Sequence, residues 1–153
     1  MRNLELKVPP LIQVTVIGLT MFIASRFLPK VESGYFIQMM LAVTSIIVGI
    51  YFCLSGVIEF RRHKTTVDPR YPDNASELVD TGIYKISRNP MYVGFALSLV
   101  STVFFLRSPI LLLGFVVFVV YINKYQIMPE ESHLSRAFGP KYDQYKRKVR
   151  RWL

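Results

Sequence analysis

Two adjacent carboxylates, Glu130 and Glu131, directly follow one apolar stretch of the chain, and Arg88-Asn89-Pro90 directly precedes another. A carboxylate pair at the end of an apolar run is costly unless it is solvated or paired. It reads either as a solvated helix end or as a site for a cationic group. Neighbouring residues point apart on a helix, so both carboxylates can touch one ligand only at a bend. Pro129 restricts Met128 to extended geometry and is expected to supply that break. Pro90 is expected to begin a helix, where its missing N–H does no harm. Asn89 then falls at the N-cap, and the free N–H groups of the first turn can take a carboxylate or another acceptor. Tyr84 and Tyr92 can stack on a planar ring, while Gly82 and Gly94 allow close backbone approach. Taken alone, this block reads equally as a capped helix start.

Positioning these groups falls to four apolar runs, roughly Leu11 to Leu28, Tyr35 to Ile58, Met91 to Leu106 and Ile110 to Ile127. Each is near the ~20 residues that cross a bilayer as a helix. The chain is 52% hydrophobic, with a mean hydropathy of +0.33. That is too apolar for an ordinary soluble domain of this size. Pro29 to Gly34 joins the first two runs, and Arg107-Ser108-Pro109 permits only a tight hairpin between the last two. A long polar segment, Glu59 to Ser87, separates the middle pair. Its Pro69, Pro72, Asp73 and Asn74 are turn formers, and its length suggests an ordered cap over a site.

Charge fixes an orientation. Of 19 Lys and Arg residues, all but Arg26, Lys30 and Arg107 fall on the side that holds the termini and the long segment. The positive-inside rule puts that side, with every polar cluster, in the cytoplasm. Within the basic tail, Lys141 to Trp152 interleaves basic residues with Tyr142, Tyr145, Val149 and Trp152. This fits an amphipathic helix lying on anionic headgroups. Nucleic-acid binding is not expected. The lone Cys53 gives no disulfide framework and reads as a buried hydrophobe. His63 and His133 lack metal-ligand spacing, so no metal site is expected. The first run is too long for a typical signal-peptide core and has no clear cleavage site after it.

Three blocks in order carry a resemblance: Thr65-Thr66-Val67-Asp68-Pro69, then Leu78 through Gly94 with its Arg88-Asn89-Pro90-Met91-Tyr92 centre, then Pro129-Glu130-Glu131 through Phe138-Gly139 to Tyr142 and Tyr145. Together they resemble the isoprenylcysteine carboxyl methyltransferase and phospholipid methyltransferase superfamily of integral membrane enzymes. The likeness covers Thr65 to Leu153. It implies S-adenosylmethionine as cofactor, with S-adenosylhomocysteine as product, held without a Rossmann fold. The chain agrees, lacking Gly-x-Gly-x-x-Gly and room for such a domain.

Carried over by motif, Tyr84, Arg88, Asn89, Pro90, Tyr92 and Gly94 line the cofactor pocket. Glu130 and Glu131 meet the cationic methionine end. Arg136 and Tyr142 lie beside the substrate, with Arg136 and Glu131 the catalytic candidates. Many members of the carboxyl methyltransferase branch have His where this chain has Asn89, which loosens the inference to substrate more than to cofactor.

The expectation is therefore an all-α polytopic membrane protein, one domain over residues 1–153, with about four transmembrane helices and a cytoplasmic amphipathic C-terminal helix. Cofactor motifs fall within 82–94 and 129–145. The implied reaction is methyl transfer to a lipophilic acceptor, an isoprenylcysteine-like carboxylate or a phospholipid, at the cytoplasmic membrane face. The rival readings are an NADPH-dependent membrane reductase of the sterol reductase type and a non-catalytic scaffold. Ser45, Gly49 and Gly56 permit close helix packing, within one protomer or between two.

Overall fold

The computed structural model describes residue 6 and residues 8–63 and 78–153. The Thr65 to Pro69 block, the turn formers of the expected cap and the N-terminal Arg2 and Lys7 lie outside the described residues. The described residues form six α-helices: α1 Pro10–Ala24, α2 Tyr35–Arg62, α3 Pro90–Leu106, α4 Leu112–Ile122, α5 Met128–Phe138 and α6 Pro140–Lys148. There is no strand among the described residues.

α3 is the axis of the molecule, packed against α1, α2 and α4. Its pairing with α2 is antiparallel and close. Ser101 Oγ donates to Ala42 O at 2.8 Å, Gly49 lies against Gly94, and Gly56 lies against Met91. A Cβ on Gly49 would sit 2.9 Å from Gly94 O, and one on Gly94 would sit 2.5 Å from Gly49 O and overlap Cys53 Sγ. Glycine on both sides is what lets the backbones approach, as between membrane helices generally. Gly49 and Gly56 thus pack within the protomer.

One core cluster gathers Val14 and Met21 of α1, Ala96, Leu99 and Val103 of α3, and Phe118 and Ile122 of α4. The outward faces are apolar as well. Leu11, Leu19 and Ile23 of α1, Ile37, Ile47 and Leu54 of α2, and Leu113, Val117 and Val120 of α4 are all exposed. Helices apolar on both faces suit a lipid surround. The segments Tyr35–Arg62 and Pro109–Phe138 are long and apolar enough to cross a bilayer, while Pro10–Ala24 and Pro90–Leu106 are shorter apolar helices. The two short connections meet at one end, where Val31 N–H donates to Arg107 O at 2.8 Å. The polar clusters all lie at the other.

Three expectations are corrected. α1 stops at Ala24, not Leu28, because the chain turns at Ser25, whose hydroxyl donates to Phe22 O at 2.7 Å. Met128 is helical, at φ −61° and ψ −45°, not extended. The chain runs through a π-helical turn, Asn123–Ile127, straight into α5. Pro129 leaves the carbonyl four residues earlier without its donor, and that carbonyl, on Tyr125, accepts Leu6 N–H at 3.0 Å. With the orphan satisfied and the wider turn making room for the ring, the helix has no need to break.

The third correction concerns the tail. The aromatic face of α6 does not lie on lipid. Tyr142, Tyr145 and Val149 are buried in protein, in a second cluster with Phe52, Val79, Ile83 and Tyr84. An amphipathic pattern states that a face is apolar without stating what covers it.

Candidate active site

The turn before α3 is built to hold one shape. Gly82 has φ +54°, and a Cβ there would overlap the Glu59 carboxyl at 2.5 Å. Only glycine accepts both the left-handed backbone and that contact. Glu59, buried at the end of α2, takes the Thr81 hydroxyl at 2.8 Å and Arg62 Nη1 at 2.9 Å. The chain then makes a 3-10 turn, Gly82–Lys85, which buries Ile83 and Tyr84. Tyr84 stands edge-on to Phe60, with ring centroids 5.3 Å apart. Its backbone carbonyl accepts the Tyr145 hydroxyl at 2.7 Å. Burial, then Tyr145 and the carboxylates of Glu130 and Glu59, push the Tyr84 phenol well above the usual tyrosine range. It stays protonated.

Pro90 opens α3 at its first position, as expected, and Asn89 occupies the N-cap. The Asn89 side chain does not cap, however. Its Nδ2 donates to Arg151 O at 2.9 Å, while its N–H is taken by Ser87 Oγ at 3.1 Å. Arg88 is almost enclosed. Its Nη1 donates to Lys146 O at 3.1 Å and Val149 O at 2.9 Å, and its Nη2 meets Glu131 Oε1 at 2.6 Å. Its buried Nε has no partner among the described residues.

From the other side, α5 sends its two carboxylates to different partners. Glu131 is ion-paired twice, with Arg88 and with Arg151, whose Nη2 lies 2.6 Å from Oε2 and Nε 3.1 Å from Oε1. The Glu131 carboxylate raises the Arg151 guanidinium above its ordinary value, against the opposing pull of burial. Glu130 instead accepts the Tyr92 hydroxyl at 2.6 Å and forms no ion pair among the described residues. Glu130 is thus held by a neutral phenol, where Glu131 is held by two guanidiniums.

The structure thus brings Arg88, Asn89, Tyr92, Glu130 and Glu131 to one end of the bundle, with Tyr84 and Pro90 buried beside them. Three of the remaining sequence expectations fall elsewhere or differently. Gly94 faces α2 at Cys53 and Gly49, so the approach it permits is that of a helix. Arg136 is exposed on α5 and meets His133 Nδ1 at 3.1 Å, away from the Arg88 and Glu131 pair. Tyr142 is 1% exposed. Burial, then Glu131, raise its phenol above the usual range. Among the described residues, no three of His, Cys, Asp and Glu come together as metal ligands would.

Sequence reasoning missed Ser87, Arg151 and Trp152. The Ser87 hydroxyl donates to Arg151 O at 3.3 Å, and the Trp152 indole donates to Asn123 Oδ1 at 3.2 Å, at the start of the π-helical turn. The only available signal was an arginine and a tryptophan ending a basic tail, which is equally the signal of a headgroup-binding helix.

The phospholipid methyltransferase family profile matches residues 37–141. Protein-S-isoprenylcysteine O-methyltransferase B of Arabidopsis thaliana is 30% identical over 123 residues, covering 80% of this chain and 62% of that protein. The Saccharomyces cerevisiae protein-S-isoprenylcysteine O-methyltransferase is 37% identical over 75 residues, covering 47% of this chain and 30% of its own. An uncharacterized Haemophilus influenzae protein is 41% identical over 63 residues, which are 41% of this chain and all of the relative. The chain thus spans less than two thirds of the length of the named methyltransferases it matches. No solved structure matches it. The matched region contains Arg88, Asn89, Tyr92, Glu130 and Glu131, and the chain belongs to the phospholipid methyltransferase family, within the superfamily that includes the isoprenylcysteine methyltransferases.

Proposed function

We propose that the protein transfers a methyl group from S-adenosylmethionine to a lipophilic acceptor at the cytoplasmic face of a membrane. The observation that carries this is the unequal pair of carboxylates, Glu131 locked between two guanidiniums and Glu130 held only by Tyr92. The donor set suits the amino-acid end of the cofactor. Among the described residues Glu130 has no ion pair and would meet a cation, and the buried Arg88 Nε has no partner and would meet an anion.

When bound, the cofactor supplies an electrophilic methyl group on a sulfonium. The residues of the chain need only bind, orient and exclude water, because such a displacement gains mainly from alignment in a dry site. Tyr92 fixes one Glu130 oxygen and leaves the other to the ligand. Glu131 spends both oxygens on guanidiniums and is poorly placed as a base. A carboxylate or thiolate acceptor needs no base. An amine acceptor does, and with Glu131 paired to two guanidiniums and Glu130 assigned to the cofactor, this reading favours an acceptor that arrives already nucleophilic.

Four spans are read from the four apolar runs, and the distribution of Lys and Arg argues for both termini and the site in the cytoplasm. The exposed apolar belt lets an acceptor reach the site laterally from the bilayer. Arg136, exposed on α5, is the candidate contact for an anionic acceptor group such as a carboxylate or phosphate.

The test is incubation of the purified protein with S-adenosylmethionine labelled in the methyl group. A prenylated cysteine, an ethanolamine phospholipid and a small thiol are supplied in turn. Label in an extracted lipophilic product is expected. Label in the water-soluble thiol alone contradicts the lipophilic reading.

A further inference from the structure

Arg151 is third from the end of the sequence, in an irregular stretch after α6, yet it touches both blocks of the proposed site. Its backbone carbonyl accepts Asn89 Nδ2 at 2.9 Å and Ser87 Oγ at 3.3 Å, holding the turn that precedes α3. Its guanidinium grips Glu131 with two nitrogens, holding the first turn of α5. The residues beside it tighten the same seam. Arg88 N–H donates to Arg150 O at 3.0 Å, and the Trp152 indole donates to Asn123 Oδ1.

The geometry points to Arg151 as a positioning residue for the methyl-donor site, tying the Arg88 turn to the Glu131 carboxylate so that both face one ligand. The inference rests on the methyltransferase reading given above. The physical argument is one of number. Glu131 accepts three N–H bonds, two of them from Arg151. Without these, one Nη2 bond from Arg88 remains to orient the carboxylate, and a single bond leaves it free to rotate. The fork matters as well as the charge. A planar guanidinium meets both carboxylate oxygens at once, and an ammonium does not.

Arg151 is also accessible enough for its loss to leave the core intact, since its side chain is 36% exposed against 15% for Glu131. Arg150 is the internal control. Its side chain is exposed, and its contribution to the seam is a backbone carbonyl that any residue supplies.

The experiment titrates S-adenosylhomocysteine into detergent-purified full-length wild type, R151A, R151K and R150A, with melting temperatures measured alongside. Wild type and R150A are expected to bind alike. R151A should bind roughly tenfold more weakly, the scale of charge-assisted hydrogen bonds. R151K should fall between them, because it restores the charge but not the fork. In turnover, R151A should raise KM for S-adenosylmethionine and leave KM for the acceptor unchanged, a split that general loosening of the fold does not produce. Should R151A fail to fold, R151K decides alone: weaker binding at an unchanged melting temperature supports the role.

Wild-type affinity in R151A, or in R151K where that variant decides alone, overturns it. So does tighter binding in R151A, which would make Arg151 a competitor for the site instead. No binding by well-folded wild type defeats the methyltransferase reading itself, a result distinct from both.

Discussion

The Tyr92 hydroxyl donates to Glu130 Oε1 at 2.6 Å, joining the first turn of α3 to the first turn of α5. It is the one polar contact of Glu130 among the described residues, and it distinguishes this carboxylate from the doubly ion-paired Glu131. Tyr92→Phe keeps the ring in its buried place and removes only the donor. Glu130 then loses its orientation, and S-adenosylhomocysteine affinity should fall by about 1 to 2 kcal/mol. Calorimetry gives the value, and affinity equal to wild type would detach Tyr92 from the binding site.

Arg88 holds the tail as much as it faces any ligand. Arg88→Ala removes donors from Lys146 O and Val149 O and leaves Glu131 with Arg151 alone. Truncating one member of an enclosed pair costs about 3 to 5 kcal/mol. The 11% exposure of the Arg88 side chain puts it near that class. Both melting temperature and cofactor affinity should drop. A variant that melts like wild type contradicts the anchoring role.

Gly94→Ala tests the seam between α2 and α3. The added methyl meets Cys53 Sγ and Gly49 O, so overpacking of about 1 to 3 kcal/mol is expected. Gly18→Ala is the contrast, since its Cβ would have nothing nearer than Leu99 Cδ2 at 3.9 Å. Helix propensity then predicts no loss, or a gain of up to ~1 kcal/mol. Detergent melts of the two variants should separate clearly, and equal melting would remove Gly94 from the helix contact.

Arg136→Ala should leave stability within about 0.5 kcal/mol, as an exposed residue away from the core does. Turnover with an anionic acceptor should fall while S-adenosylhomocysteine affinity holds. An unchanged rate takes Arg136 out of acceptor binding.

What the sequence made legible was local. Pro90 after Asn89 marks a helix start by the chemistry of proline alone, and Arg107-Ser108-Pro109 is too short for anything but a hairpin. The continuation through Pro129 was not legible, because it depends on Leu6, distant in the chain, taking the carbonyl that proline abandons. Nor was the role of Arg151, since a basic residue among aromatics looks the same beside a carboxylate as beside a lipid phosphate. Gly94 shows the same limit. Glycine announces a close approach without naming what approaches, and here it is α2. The motif blocks singled out polar residues that meet in space, but how they pair is a tertiary fact.

The most direct test of the account is calorimetric titration of S-adenosylhomocysteine into wild type and Glu130→Gln, each checked for folding by its melting temperature. The substitution keeps size and hydrogen bonding and removes only the charge that would face a cation. Saturable binding by wild type, weakened about tenfold or more in the variant, is the predicted result. Equal affinity in the two proteins, or no binding by folded wild type, would contradict it.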